Sequence, residues 1–187
     1  MADHQLDRFG CVANTIKTAG GHYFDLARPD PGDVDIQTIA SALSKICRFG
    51  GHVPRFYSVA EHSVHCADLA PGPFAQHVLL HDAAEAYVGD VVKPLKNLLA
   101  EPFAAVETAV EMAVCLHFGL TCPPAAKVEI KRCDRIMLKA EKQHFWPDDS
   151  EQWEGFADTP DTDITIWEWS PERAETMFLD AWFNLRS

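Results

Sequence analysis

Between positions 77 and 90 the chain reads His-Val-Leu-Leu-His-Asp-Ala-Ala-Glu-Ala-Tyr-Val-Gly-Asp, an apolar, helix-forming run into which His81, Asp82, Glu85 and Asp90 are set. Residues three and four apart share a helix face, so a cation met by His81 and Asp82 would have Glu85 standing beside it. Burying two carboxylates and an imidazole among Val78, Leu79, Leu80 and Val88 is costly unless they are paired or bound to a metal. The polar cluster therefore needs a reason, either pairing or a bound cation.

The elements that must position this stretch are helical. Ser58-Val-Ala-Glu61 has the pattern of a capping box, in which the serine accepts from the first turn and the glutamate reaches back. It opens a helix to about residue 69 that carries His62 and His65. Ile36, Ile39, Leu43 and Ile46 recur at helical spacing over 33–48, with Asp33 or Asp35 as cap and paired glycines at 50 and 51 as the stop. Further helices are predicted over 74–88, 102–118 and from Pro123 or Pro124 to 145, the last with Asp134 in its middle. The stretch 90–99 reads as a loop with a short helical turn. A final helix starts at Ser170 as cap with Pro171 in its first position, and Met177, Phe178, Ala181, Trp182 and Leu185 are its packing residues. Residues 1–32 read as an irregular arm with a short strand pair near 23–26. Residues 147–163 hold seven acidic side chains and no basic one, and read as an exposed acidic loop. The expected fold is all-α: one domain over 1–187, a bundle of six or so helices.

A chain of 187 residues can bury about 70% of its unfolded surface without disulfides or a structural metal. With 28 acidic against 16 basic residues the formal charge is −12, which disfavours duplex nucleic acid and anionic membrane surfaces as partners. No apolar window approaches the roughly 18 residues of a membrane span, and the first thirty residues lack the pattern of a secretory leader. Six cysteines without a C-x-x-C pair read as free thiols of a reducing compartment, so a cytoplasmic location is expected.

His62, the His81-Asp82 pair nineteen residues on, and Asp134 in a later helix form an H…HD…D pattern. It is joined by S-V-A-E-H-S at 58–63, H-D-x-x-E at 81–85, G-D at 89–90 and P-x-K at 94–96. Over roughly residues 20–185 this combination resembles the HD-domain metal-dependent phosphohydrolases. It looks most like the small YfbR-like branch, which holds 5'-deoxynucleotidases and phage-type deoxynucleoside triphosphate hydrolases.

The resemblance implies that His62, His81, Asp82 and Asp134 bind one divalent cation. Two imidazoles and two carboxylates suit Mn²⁺, Fe²⁺, Co²⁺, Ni²⁺ or Zn²⁺ better than Mg²⁺. It also implies that Glu85 orients or deprotonates the attacking water, and that Asp90 shares that work or holds the sugar. Arg48 and Lys96 match phosphate-contacting positions of that branch, and Lys131, three residues before Asp134 and so on the same helical face, could reach a second or third phosphate. A triphosphate would use all three, which favours a dATP-like substrate over a deoxynucleoside monophosphate. Phe49 stands where some relatives carry a tryptophan, which leaves sugar discrimination open. A small-molecule nucleotide is the implied ligand, and relatives of this type are oligomers, so a homo-oligomer is expected, with the aromatic C-terminal helix as a plausible interface.

Other readings stay open. Asp90 could be a helix-stop residue, Arg48 a cation at a helix C-terminus, and Lys96 and Lys131 solvated surface lysines; His65 reads as a packing neighbour of His62. A nucleotide sensor without turnover is one rival function. An oxidative two-iron site is another, but it needs additional histidines that HDAAEAYV does not supply after the glutamate.

Overall fold

Seven α-helices and one two-stranded hairpin form the regular structure of the computed structural model, which describes residues 14–153 and 155–186. Cys11 and most of the arm's first half lie outside the described residues. The predicted strand pair is present as β1 (Thr15–Lys17) and β2 (Tyr23–Asp25), antiparallel, with Ile16 opposite Phe24. Phe24 is fully buried and stacks on Tyr87 with ring centroids 4.0 Å apart. That contact ties the hairpin to the segment carrying the His-Asp pair.

The first helix, α1 (Ile36–Leu43), begins where Asp35 accepts hydrogen bonds from the N–H groups of Gln37 and Thr38. It is shorter than the predicted 33–48. After Leu43 the chain turns into an extended bridge between Cys47 and Ser58, with the Arg48 N–H donating to the Tyr57 carbonyl at 2.9 Å. Arg48–Gly51 then forms a tight 3-10 turn, and Phe49 adopts φ 57°, a left-handed conformation that L residues rarely take. The result is that Arg48 points inward, with a side chain only 11% exposed, instead of decorating a helix end.

Ser58 caps α2 (Val59–Asp68) by accepting from the Glu61 N–H at 3.1 Å. Every residue of α2 from Val59 to Ala67 is buried, the mark of a helix enclosed on all sides. Ser58→Ala is therefore expected to lower stability by about 1 kcal/mol, read from the midpoint of a denaturant titration. An unchanged midpoint would show the cap to be redundant. Glu61 does not reach back as a capping box requires. Its carboxylate accepts from the N–H groups of Trp167, Glu168 and Trp169 at 2.7, 2.9 and 2.7 Å, so three convergent backbone donors hold it in place of one.

The single helix predicted over 74–88 is interrupted. α3 (Gly72–Leu79) stops at Leu80, whose φ −96° and ψ 9° leave the helical region, and α4 (Glu85–Val88) resumes after a tight turn. The stretch after it also differs from expectation: α5 (Lys93–Phe118) already includes the predicted loop, as two helical segments meeting at Ala100 with φ 49° and ψ −134°. α6 (Pro124–Phe145) matches its predicted limits and α7 (Pro171–Asn184) its predicted start, where Ser170 accepts from the Arg173 N–H.

α2 sits at the centre, against α3, α6 and α7. It contributes Val59, Ala60 and Val64 to one apolar cluster with Ile39, Leu43, Leu79 and Phe178. It contributes Cys66 to a second, with Tyr57, Val78, Cys133 and Met137. Phe178 and Trp182 of α7 are buried in this chain's own core, whereas Phe183 on the same helix is 53% exposed. The large exposed apolar side chains lie mainly on α5, with Leu98 84%, Met112 60% and Leu116 68% exposed.

The acidic stretch is irregular as predicted but not simply exposed. Lys142 pairs with Asp149 at 3.1 Å and Lys139 with Asp161 at 2.8 Å, while Phe156 is buried. Trp153 stands near both Trp146 and Phe49 in an aromatic group beside Arg48. No helix of the described residues is long and apolar enough to cross a membrane.

Candidate metal centre and active site

Asp134 on α6, His62 on α2 and the His81-Asp82 turn converge. The Nε2 atom of His62 lies 3.4 Å from an Asp134 oxygen and 3.7 Å from an Asp82 oxygen, and the same Asp82 oxygen is 3.2 Å from Nε2 of His81. Successive residues on a regular helix point about 100° apart, which would have turned His81 and Asp82 away from each other. The break after Leu79 removes that constraint. The structure thus brings together the four residues singled out as metal ligands.

Both imidazoles are oriented from behind. His62 Nδ1–H donates to Glu141 Oε1 at 2.6 Å, and His81 Nδ1–H donates to the Val78 carbonyl at 2.7 Å. Each ring therefore turns Nε2 toward the cluster, the arrangement by which proteins fix a ligating histidine. His81 Nε2 is buried and has no hydrogen-bond partner, Asp82 lying outside hydrogen-bonding geometry. An orphaned buried nitrogen is costly, and a cation would satisfy it. Bond lengths of about 2.0–2.3 Å to N, O and S donors give a tetrahedral shell edges of about 3.3–3.8 Å. The donor separations of 3.2 to 3.7 Å match those edges. The residues present could hold a metal ion.

Cys66, one turn after His62 on α2, belongs to this cluster as well. Its Sγ is 3.4 Å from His62 Nε2, and His62, Cys66 and His81 each offer a donor within 4.8 Å of the others. This group could hold a metal ion. Burial pushes the thiol up to about 11, against the lowering influence of His62. The four other described cysteines are free thiols too.

Glu141, fully buried, is absent from the sequence-based set and central to the site. Besides His62 it meets Arg48, whose Nη2 donates to Oε2 at 3.1 Å and whose Nε lies 3.0 Å from Oε1. Arg48 also reaches toward Asp82 at 3.6 Å. Burial works against the charge on Glu141, but Arg48 and His62 outweigh it and hold the carboxyl below its usual range. In the same way burial opposes the Arg48 charge, while Glu141 and Asp82 keep the guanidinium firmly protonated. Burial and Arg48 oppose protonation of His62, yet the surrounding Cys66, Glu141 and Asp134 push it up, so a cation would take the place of a proton there. Asp134 resists its own burial through His62 and His81 and stays well below the carboxylate range. The signal for Glu141 was its position seven residues after Asp134, on the same face of α6.

Glu85 is buried beside the cluster. Burial first, then the Asp82 and Asp90 charges, raise it to about 8, partly offset by Lys96 and Arg48. Gly89, at φ 80°, ends α4 and returns half-buried Asp90 to the neighbourhood of Glu85. Lys96 Nζ lies 3.4 Å from Glu85 and 2.6 Å from Glu107, so this predicted phosphate contact is held by carboxylates. Lys131 is exposed and pairs with no carboxylate among the described residues. His65 takes the packing role, 3.4 Å from Glu61 and against the Trp169 ring. A cavity of about 250 Å³ reaches His81 from the α5 side, with Leu80, Ala84 and Val114 in its wall and Glu111 and Lys127 as charged members.

No family model matches the chain. It is 37% identical over 171 residues, 91% of this chain and 94% of the relative, to the uncharacterized protein YfdR of Escherichia coli. It is 32% identical over 136 residues, 67% of this chain and 69% of the relative, to an uncharacterized protein of Rhodobacter capsulatus. The chain belongs to the same protein family as YfdR of Escherichia coli.

Proposed function

We propose that this protein is an HD-type, metal-dependent phosphohydrolase of deoxynucleotides. The observation that carries the reading is the chain of close contacts from Asp134 to His62 at 3.4 Å, His62 to Asp82 at 3.7 Å and Asp82 to His81 at 3.2 Å, with the Nε2 of His81 left without a hydrogen-bond partner. When bound, a divalent cation would acidify water and polarise a phosphoryl group. Glu85 supplies what the ligands cannot, a carboxylate near its proton-binding midpoint at operating pH, suited to take the proton of an attacking water. Asp90 tunes Glu85 through its charge, and Lys96 favours its ionised form. Arg48, fixed by Glu141, holds its guanidinium beside Asp82, where a phosphate oxygen would meet it.

A triphosphate substrate would recruit Lys131, and Lys96 once released from Glu107. The existing engagement of Lys96 by two carboxylates supports the second reading, a 5'-deoxynucleotidase acting on monophosphates. Incubating the protein with dATP and dAMP under Mn²⁺, Co²⁺ or Fe²⁺ separates them. Triphosphate released from dATP supports the first, orthophosphate from dAMP the second. Inertness toward both under all three metals would sink the hydrolase reading and leave a nucleotide sensor. We further propose assembly as a homo-oligomer through the apolar face of α5.

A further inference from the structure

We infer that Cys66 is a thiolate ligand of the proposed cation site, so that the site selects thiophilic zinc and cobalt over manganese and magnesium. The inference rests on the metal-binding reading above and puts a sulfur in the place of one of its two carboxylates. Cys66 follows His62 by four residues, which puts both on one face of α2. Its Sγ stands 3.4 Å from the Nε2 that His62 turns inward, a nitrogen-to-sulfur separation close to the roughly 3.6 Å edge of a tetrahedral zinc shell. His81 offers a ring nitrogen within 4.8 Å of both, and its Nε2 is buried without a hydrogen-bond partner.

Cys133 offers the contrast. It is equally buried, but its sulfur meets Arg132 at 3.4 Å, and among the described residues it belongs to no group that could hold a metal ion. Two imidazoles and one sulfur, with a carboxylate from Asp134 or Asp82 as the fourth donor, form a set that soft sulfur chemistry directs to zinc or cobalt; oxygen-seeking Mg²⁺ and Mn²⁺ gain little from it. Formation of the sulfur–metal bond breaks the S–H bond and releases the proton to solvent.

The test is the absorption spectrum of the full chain titrated with Co²⁺. A near-ultraviolet sulfur-to-cobalt charge-transfer band is expected alongside the visible cobalt bands. In Cys66→Ser and in the apolar Cys66→Val the charge-transfer band should vanish while the visible bands remain. Zn²⁺ affinity should fall at least about tenfold in both variants, since losing even an outer partner of a ligand costs that much. Mn²⁺ affinity should change by less than about twofold. Cobalt bound without the charge-transfer band, or a band that survives both substitutions, overturns the role of Cys66 and leaves the site standing. No cobalt binding by the unsubstituted chain overturns the site together with this inference.

Discussion

Glu141→Gln is expected to destabilise the protein by up to roughly 3–5 kcal/mol near neutral pH, because it removes the nearer countercharge of the buried Arg48 guanidinium and leaves only Asp82, at 3.6 Å. Glutamine keeps the shape and still accepts a hydrogen bond from His62, so the loss reports charge and not packing. The effect has a direction in pH. The folded carboxyl of Glu141 sits below its unfolded value of about 4.3, so its contribution is present above that pH and is lost as pH falls through the folded value. Denaturation curves of the two proteins should therefore be far apart at pH 7 and draw together in acid. A second readout concerns the metal: with His62 less firmly oriented, affinity should drop by about 10- to 100-fold. The double variant Arg48→Met with Glu141→Leu separates the two roles. Removing both partners of a buried pair is often neutral. Recovered stability without recovered metal binding would place Glu141 in both functions; recovery of both would reduce it to a structural counterion.

What the sequence makes legible follows local chemistry. Ser58 and Ser170 announce α2 and α7 because an N-cap needs only a short polar side chain and free N–H groups close by. The four proposed ligands are singled out by the resemblance of their order to the HD-domain signature and not by local chemistry. The break at Leu80 is not legible, since Leu-His-Asp-Ala-Ala contains neither glycine nor proline and favours helix. A local bond and a long-range contact meet there: His81 gives Nδ1–H to the Val78 carbonyl three residues back, and Asp82 approaches His62 on α2. Ala100 gives as little warning, whereas Pro102 just after it fits the predicted start of the second segment of α5. Glu141 is 79 residues from His62 and 93 from Arg48, so neither contact leaves a local trace. Glu61 shows the opposite hazard, a capping-box glutamate drawn off by a backbone turn more than 100 residues away. Cys66 had the right spacing, but a cysteine on an enclosed helix reads first as a core residue.

Glu85→Gln is expected to separate holding a metal from using it. None of the close contacts among His62, His81, Asp82 and Asp134 involves Glu85, so metal affinity should stay within a few-fold of the original. Turnover should fall by about 10²- to 10⁴-fold, the usual range for a lost general base. The same substitution predicts an opposite change in stability. In the metal-free chain Glu85 binds its proton with a midpoint of about 8, well above the unfolded value of about 4.3, because burial and the Asp82 and Asp90 charges disfavour the carboxylate. Native protein thus holds this proton more tightly than unfolded chain does. Stability is lost as pH rises from about 4.3 to 8, and the loss is complete above that range. Glutamine carries no such penalty, so the variant should match the original protein near pH 4 and exceed it by a few kcal/mol at pH 9. Parallel stability profiles across that window would mean that Glu85 ionises like a surface glutamate, and the case for it as the base would go with them. A slow but more alkali-stable variant is the outcome that ties the buried carboxylate to catalysis, because a group kept at an energetic cost to the fold is one that the fold alone does not need.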